Sequence, residues 1–342
     1  MTPHRLCVAP MMERTDRHCR YLLRLIAPNA WLYTEMITAT ALVHGDAERF
    51  LRFDPSEHPV ALQLGGSDPE LLSTAARLGD AAGYDEINLN VGCPSPRVKA
   101  GRFGVALMLE PALVAACVDA MRSAVGVPVT VKCRIGVDDR DDYGFLREFV
   151  RHVVDAGCRS LFVHARQAWL SGLSPKENRT IPPLDYARVH RLKADFPELE
   201  IVLNGGLDTV PAALSELAQV DGIMLGRTAY AEPMLMGELD ARIFAEGVPE
   251  SRAVVAEAYL EYVESELAAG TPLRVMTRHL MGLYAHQPGA RRWRRGLGEL
   301  VEGKAGFKAC KRLLAAQRVG PSAGVRHSGN SAEVPVRPTG AH

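Results

Sequence analysis

The sequence predicts an α/β fold, a (β/α)8 TIM barrel followed by a small all-helical C-terminal domain. Eight short apolar runs alternate with helical patterns between residues 6 and 225, and the run at residues 86–91 has the period of two of a strand. Most runs end in glycine or a polar side chain, as barrel strands do at a binding site. An open doubly wound sheet is the alternative, but no Gly-x-Gly-x-x-Gly sequence follows the first strand.

The predicted elements follow one another in regular order. The eight strands are expected at residues 6–9, 31–34, 60–64, 86–91, 127–134, 160–164, 200–204 and 221–225. Asp16, Asp68 and Thr209 precede predicted helices, where their side chains can accept hydrogen bonds from the free amides of the first turn.

The alternation stops after residue 247, and only helical spacing continues. Four further helices are expected at residues 254–268, 273–283, 291–300 and 305–316. The sequence therefore predicts a barrel domain at residues 1–240, a helical domain at 250–317 and a disordered tail at 318–342.

The bulk composition is ordinary for a globular protein, with 47% hydrophobic and 23% charged residues. No apolar run approaches a membrane span, and the first residues do not resemble a signal peptide, so a cytoplasmic protein without membrane contact is expected. The seven cysteines stand singly, without Cys-x-x-Cys pairs, which argues against a disulfide framework and against a metal site.

Charge is distributed unevenly, although the formal net charge is zero. Residues 1–250 contain 26 Lys+Arg and 33 Asp+Glu, a balance of −7, whereas residues 251–342 contain 14 and 7, a balance of +7. A basic small domain beside an acidic large one indicates contact with a polyanion. The alternative is that the basic helices are solvated and have no partner.

Residues 86–94 bring several reactive groups together. Apolar residues alternate with Asn88 and Asn90 along the predicted strand, which ends at Gly92. Cys93 follows in a turn stiffened by Pro94, and a basic, glycine-containing loop extends from there to residue 104. A buried structural cysteine is the alternative. The flanking amide and the loop favour a site at the carboxyl end of this strand.

We expect the polar groups at the ends of the other strands to line one opening of the barrel, its mouth, because the carboxyl ends of barrel strands converge. Lys132 lies within an apolar strand, where a lysine without an anionic partner is unusual. His164 is open to two interpretations, a satisfied core histidine or a ligand-binding residue. Gln63 ends the third predicted strand.

Two glycine-containing loops predict a phosphate site. Asn204-Gly205-Gly206 and Gly226-Arg227 follow the seventh and eighth predicted strands, where barrels commonly bind phosphate through loop amides. Glycine lets the backbone approach the ligand, and arginine adds a bidentate cation. Flavin mononucleotide (FMN) fits the whole set. A phosphosugar fits the loops equally well but does not explain the polar groups on the third, fifth and sixth strands.

The ordered motifs at the strand ends resemble those of the tRNA-dihydrouridine synthases. They are Val8-Ala9-Pro10-Met11-Met12, Thr34-Glu35-Met36, Gln63-Leu64-Gly65-Gly66, Asn88-Leu89-Asn90-Val91-Gly92-Cys93-Pro94, Val131-Lys132-Cys133-Arg134, Val163-His164-Ala165-Arg166, Asn204-Gly205-Gly206 and Leu225-Gly226-Arg227. The segments at residues 172–184 and 291–295 are similar to the A subfamily. The resemblance covers roughly residues 6–315.

This resemblance implies an FMN enzyme that uses NADPH to reduce uridine in the D-loop of tRNA to 5,6-dihydrouridine, at positions 20 and 20a in the A subfamily. Flavin N5 would deliver hydride to C6 of the base, and Cys93 would protonate C5. A thiol suits this role because it is mostly protonated at neutral pH. The implied FMN contacts are Pro10, Met11, Met12, Gln63, Lys132, His164, Asn204, Gly205, Gly206, Gly226 and Arg227.

Contact with tRNA is expected from Asn90 at the base and from basic residues of the barrel loops and of the helical domain. Those residues are Arg97, Lys176, Arg179, Arg291 and Arg294. Trp293 is expected in the core of the small domain rather than as a stacking platform. A monomer is expected. The rivals are an FMN-dependent reductase of a free pyrimidine, which needs no basic helical domain, and a non-catalytic flavoprotein, which needs no cysteine at position 93.

Overall fold

The computed structural model describes residues 3–95, 101–245, 249–303 and 306–318. Nine strands form one parallel sheet. They are β1 Leu6–Val8, β2 Leu32–Tyr33, β3 Ile37–Thr38, β4 Val60–Gly65, β5 Glu86–Val91, β6 Val129–Arg134, β7 Ser160–His164, β8 Glu200–Asn204 and β9 Gly222–Leu225. Eight of them correspond to the predicted strands. The short β3, which pairs with the end of β4, was not predicted.

The sheet order is β1-β9-β8-β7-β6-β5-β4-β2, so each barrel strand lies beside its neighbours in sequence except where the first meets the last. The barrel closes where β1 meets the residue before β2. The amide of Val8 donates to the carbonyl of Trp31 at 2.9 Å, and the amide of Trp31 donates to the carbonyl of Leu6 at 2.8 Å. The predicted (β/α)8 barrel is confirmed.

Helices cover the outside of the barrel and form the C-terminal region. They are α1 Arg17–Ile26, α2 Ala39–His44, α3 Ala47–Leu51, α4 Pro69–Ala81, α5 Pro111–Arg122, α6 Tyr143–Asp155, α7 Tyr186–Asp195, α8 Val210–Leu217, α9 Arg227–Ala231, α10 Met234–Phe244, α11 Arg252–Ala268, α12 Leu273–Thr277, α13 Ala290–Val301 and α14 Phe307–Arg318. Side chains cap α1, α4 and α8 from Asp16, Asp68 and Thr209, as predicted. Among the described helices, none is both long and apolar enough to cross a membrane.

Alternation along the strands separates two cores. One face of each strand packs against the helices in the large outer core, for example through Ile87, Leu89 and Val91 of β5. The other face points into the barrel, where a small apolar layer includes Tyr33 and Phe162. Polar side chains fill the barrel on both sides of this layer, one set at the floor and one at the mouth.

The floor of the barrel contains a buried histidine between two carboxylates. His4 lies 2.7 Å from Glu86 through Nε2 and 2.8 Å from Glu200 through Nδ1. The hydroxyls of Tyr33 and Thr130 donate to Glu86 at 2.8 and 2.6 Å. Burial alone would lower the pKa of His4, but the hydrogen bonds to the two glutamates outweigh it and raise the pKa to about 9.

The C-terminal helices pack against α1 at the side of the barrel. Tyr262 stacks on Tyr21 with ring centroids 3.9 Å apart. Arg17 donates to both carboxylate oxygens of Glu266, at 2.7 and 2.5 Å. Trp293 is fully buried and donates through Nε1 to the carbonyl of Leu280 at 2.7 Å, so its predicted core position is confirmed.

One predicted helix was wrong in detail. Residues 273–283 form not a single α-helix but α12 followed by the 3-10 turn Arg278–Gly282. Tertiary contacts explain the difference. Arg278 donates to Asp16 at 2.5 Å, and at Gly282 an added Cβ would lie only 2.4 Å from the carbonyl oxygen of Ala231. The predicted domain limits remain predictions, and residues 319–342 of the predicted tail lie outside the described residues.

Candidate active site

Strand register brings polar residues of neighbouring strands together at the mouth. Asn90 of β5 is the register partner of Lys132 on β6. Further around the barrel, Arg134, His164 and Asn204 are partners across β6, β7 and β8. Residues separated by more than 100 positions in sequence therefore line one opening, as the convergence of strand ends predicts.

Three amide side chains of β4 and β5 form a hydrogen-bonded row at the mouth, the amide ladder, which consists of Asn88, Gln63 and Asn90. Asn90 donates to the side-chain carbonyl of Gln63 at 2.8 Å, and Gln63 donates to Asn88 at 2.8 Å. The Oδ1 atom of Asn90 accepts the backbone amides of Gly92 and Cys93 at 3.2 and 3.0 Å. Asn90 therefore fixes the turn on which the half-buried Cys93 lies.

Lys132 and Asn204 meet across the barrel. The Lys132 ammonium donates to Oδ1 of Asn204 at 3.0 Å, and Asn204 donates to the carbonyl of Met224 at 2.7 Å. Burial, helped by the nearby Arg134, lowers the pKa of Lys132 to about 8. The amine is still largely charged at neutral pH, and it has no carboxylate partner among the ion pairs of the described residues.

His164 is the neutral member of the group. Burial holds its pKa well below the usual value, and the charges of Arg134 and Lys132 act in the same direction. The ring can therefore donate from one nitrogen and accept at the other.

The loop after β8 requires glycine at two successive positions. Gly205 and Gly206 have φ values of 113° and 71°, which side chains rarely adopt. A Cβ at Gly205 would lie 2.9 Å from the His164 ring, and one at Gly206 would lie 2.3 Å from Leu184. Tyr186 holds the loop by donating to the carbonyl of Gly205 at 2.6 Å.

The second loop brings an arginine to the same side of the mouth. Gly226 precedes the exposed Arg227, whose Nη2 donates to the carbonyl of Arg179 at 3.0 Å. An added Cβ at Gly226 would have only ordinary contacts, the closer ones being Ala9 at 3.6 Å and Met11 Sδ at 3.7 Å. The loop after β1 thus lies against the loop after β9.

The loop after β1 is held by a short local turn. The amide of Met11 donates to the hydroxyl of Thr15 at 2.9 Å. Pro10 is partly buried, and Met12 is 52% exposed, an unusual degree for a large apolar side chain. Met12 therefore offers an apolar surface beside the polar mouth.

Arg134 and Asn178 are parts of the site to which the sequence assigned no specific role. The Arg134 guanidinium donates to the carbonyls of Gly92, Gln167 and Asn178 at 3.0, 3.0 and 2.9 Å. Asn178 is fully buried, and its side chain bonds back to Trp169. Arg134 therefore joins the cysteine turn to the loop at residues 172–184. The Val-Lys-Cys-Arg motif pointed to the residue but not to this role.

The predicted RNA-binding residues fall into two exposed groups. Lys176 and Arg179 lie on the rim, where Arg179 closes the 3-10 turn Glu177–Arg179. Arg291 and Arg294 lie on α13 and help to line a cleft of about 600 Å³ against the end of α9. Arg97, together with residues 96–100 of the predicted loop, lies outside the described residues.

Taken together, the mouth can bind a phosphate on one side and a polar heterocycle beside it. Glycine loops and Arg227 offer backbone and guanidinium donors to an anion. The amide ladder, the cationic Lys132 and the neutral His164 offer donors and acceptors to the edge of a ring system. Cys93 brings a thiol to the turn at the end of the amide ladder, because its backbone amide is bonded to Asn90.

Comparison with known proteins gives consistent results along the chain. The family model described as dihydrouridine synthase (Dus) matches residues 7–318. A tRNA-dihydrouridine(20/20a) synthase of Xanthomonas campestris is 57% identical over 296 residues, covering 86% of this chain and 88% of the relative. Proteins with the same name in Vibrio cholerae and Synechocystis are 52% and 53% identical, covering 91% and 92% of this chain and 96% and 94% of theirs.

Among solved structures, the chain is similar to an old yellow enzyme homologue from Zymomonas mobilis. The TM-score is 0.50, and the match covers 72% of this chain and 90% of that one. Because the two sequences are only 14% identical, this similarity concerns the barrel fold alone.

Proposed function

The chain belongs to the dihydrouridine synthase family, and on that premise we propose that it is an FMN enzyme that uses NADPH to reduce uridine in tRNA to 5,6-dihydrouridine. The relatives' names favour positions 20 and 20a of the D-loop as the targets. The observation that carries the proposal is the hydrogen bonding of Asn90, which ties the Cys93 turn to the amide ladder of the mouth. A monomer acting in the cytoplasm, where tRNA is modified, completes the proposal.

The residues of the mouth fit FMN on the basis of their unused hydrogen-bonding capacity. The Gly205–Gly206 loop leaves no room for side chains, which lets its amides approach the phosphate. Lys132 offers a charge, and His164 and Gln63 offer hydrogen bonds, to the polar edge of the ring system. The remaining proposed contacts are Pro10, Met11, Met12, Asn204, Gly226 and Arg227.

Cys93 would act as the general acid. When bound and reduced by NADPH, the flavin supplies a hydride from N5 to C6 of the uracil. The proton from the Cys93 thiol completes the saturation of the double bond at C5, which leaves a thiolate that regains its proton from solvent. Net two electrons and two hydrogens are thereby added to the base.

Three cationic side chains lie near the proposed proton donor. A negative charge on the Cys93 sulfur would raise the pKa values of Lys132, Arg134 and Arg179. All three side chains therefore lie close enough to interact electrostatically with the sulfur. These cations are in place beside the sulfur before the reaction begins.

The RNA must present its uridine outside the base stack, because hydride transfer requires access to the face of the ring. Extrusion costs a few kcal/mol, less in a loop. Asn90 is proposed to bond the base, with Arg97, Lys176 and Arg179 binding phosphates near the mouth. Arg291 and Arg294 would bind the backbone farther away, within a helical RNA-binding domain at residues 250–317 beside a catalytic domain at 1–240.

The absorption spectrum of the purified protein tests the proposal. We expect flavin bands that bleach after anaerobic addition of NADPH and return on addition of unmodified tRNA, with dihydrouridine detected by mass spectrometry. Reoxidation by a free pyrimidine but not by tRNA would support the small-molecule rival. If the protein does not bind flavin after reconstitution with FMN, the proposal that it is an FMN enzyme is contradicted.

A further inference from the structure

Arg166 lies beside the glycine loops and has no role in the function proposed above. It follows His164 by two residues, just beyond the end of β7. Tyr186 and Arg227 both lie within electrostatic reach of its guanidinium. Because Tyr186 bonds the carbonyl of Gly205, and Arg227 follows β9, Arg166 stands next to the loops that follow β8 and β9.

The guanidinium of Arg166 is only partly used within the chain. Its Nη1 donates to the carbonyl of Pro182, whereas its Nε is buried and has no hydrogen-bond partner in the part of the chain that the structure describes. No ion pair found within the described ranges includes Arg166. A buried N–H without a partner is unfavourable, and buried polar groups of this kind commonly bond to a ligand or water.

The charge around Arg166 is also unbalanced. Burial lowers its pKa, and the nearby Arg227 lowers it further by repulsion. Arg227 also lowers the pKa of Arg179, so its guanidinium repels two others on this side of the mouth. An anion of charge −2 between two of these groups would convert their repulsion into attraction. A phosphate monoester carries that charge at neutral pH.

We propose that Arg166 is a second phosphate-binding residue, which joins Arg227 and the amides of the Gly205–Gly206 loop in binding the phosphate monoester of FMN. Planar guanidiniums suit phosphate because two parallel N–H groups can bond two of its oxygens. This inference rests on the proposed function only for the identity of the ligand.

Comparison of FMN with riboflavin, which lacks the phosphate, isolates the interaction. Dissociation constants would be measured by flavin fluorescence for the wild type, Arg166→Gln and Arg166→Lys. Arg166→Gln should weaken FMN binding about 10- to 100-fold, as expected for loss of a charged hydrogen bond, and leave riboflavin binding unchanged. The FMN affinity of Arg166→Lys should lie between those of the wild type and Arg166→Gln. Lysine keeps the positive charge but cannot offer two parallel N–H groups to the phosphate.

Arg159→Gln is the matched control. It removes the same charge from the exposed residue that precedes β7, at the opposite end of the strand. Both flavins should bind this variant as they bind the wild type.

Three outcomes would overturn the inference. Equal weakening of FMN and riboflavin in Arg166→Gln would show that the arginine only supports the loop at Pro182. Unchanged binding of both flavins would remove it from the phosphate site. A wild type that binds neither flavin would overturn the proposed function together with the inference. The first two outcomes would overturn the inference alone, so the two failures can be distinguished.

Discussion

The buried histidine at the barrel floor makes stability depend on pH in a defined direction. In its charged form, His4 donates from both ring nitrogens, one to Glu86 and one to Glu200. Replacement by glutamine removes the positive charge and leaves two buried carboxylates facing each other. Loss of one partner of a buried ionic group typically costs about 3–5 kcal/mol, so His4→Gln should be strongly destabilised at pH 6.

The sign of the pH effect follows from the direction of the pKa shift. The folded protein raises the pKa of His4 from 6.5 to about 9. Below pH 6.5 the ring is charged in both folded and unfolded chains, and the stabilisation is present in full. As pH rises toward 9, only the folded protein retains the proton, and the stabilisation is lost. At 1.36 kcal/mol per unit of pKa, the loss between pH 6 and pH 8 is about 2 kcal/mol.

Urea denaturation followed by tryptophan fluorescence at pH 6, 7 and 8 measures this effect. The difference in free energy of unfolding between the wild type and His4→Gln should shrink by about 2 kcal/mol over the range. Other groups with shifted pKa values, such as Lys132 and His18, are present in both proteins and cancel in the difference. His44→Gln, which removes an exposed histidine, should retain the slope of the wild type. If the difference in free energy of unfolding between the wild type and His4→Gln is constant with pH, the reasoning that His4 is charged at the barrel floor is refuted.

Three further predictions concern the mouth and the basic helix. Cys93→Ala should still bind flavin and accept electrons from NADPH, but in stopped-flow absorbance its turnover on tRNA should fall about 10²- to 10⁴-fold, the usual effect of losing a general acid. Arg291→Gln with Arg294→Gln should weaken tRNA binding in fluorescence anisotropy and reduce the slope of log Kd against log salt by about 1.5, because two phosphate contacts are lost. Gly205→Ala should weaken FMN binding in equilibrium dialysis, because φ is 113° and the new Cβ would crowd the His164 ring.

Each of these predictions has a contradicting outcome. Dihydrouridine formation at full rate by Cys93→Ala would remove Cys93 as the proton donor. An unchanged salt slope would remove α13 from the RNA interface, and Arg77→Gln with Arg147→Gln, two exposed arginines on barrel helices, controls for net charge. Gly126→Ala controls for the glycine variant, because nothing lies within 4 Å of the added Cβ. Equal FMN affinity in the two glycine variants would contradict a requirement for glycine at position 205.

The barrel and much of its mouth were predictable because their signals are local. A strand of alternating residues that ends in a polar group can be recognised within a few positions, and barrel topology then brings all such ends together. The meeting of Lys132 with Asn204, 72 residues apart, follows from that topology alone. By contrast, the 3-10 turn Arg278–Gly282 depends on contacts with Asp16 and Ala231, which no local pattern reveals.

Contacts between distant polar residues were beyond prediction for the same reason. His4 lies 82 positions from Glu86 and 196 from Glu200, and its neighbours in sequence give no sign of either. Arg134 was recognised within a motif, but its three carbonyl partners come from three separate turns. In both cases the residue type was visible, and the partner that defines its role was not.

The floor and the mouth are connected by a chain of hydrogen bonds with a single direction. Glu86 can only accept, so the Thr130 hydroxyl donates to it and must accept from Asn88. The Oδ1 atom of Asn88 then accepts from Gln63, whose own carbonyl accepts from Asn90.

The free carbonyl of Asn90 is consequently left to receive the amide of Cys93. The accepting carboxylate at the bottom of the barrel and the donating backbone amides of Gly92 and Cys93 at the top thus fix the same orientation of the amide side chains between them. A barrel that lost the charge of Glu86 would still keep the orientation that the Gly92 and Cys93 amides impose on Asn90 and, through Asn90, on Gln63. The acceptor that positions the Cys93 turn is therefore fixed consistently from both ends of this chain of hydrogen bonds.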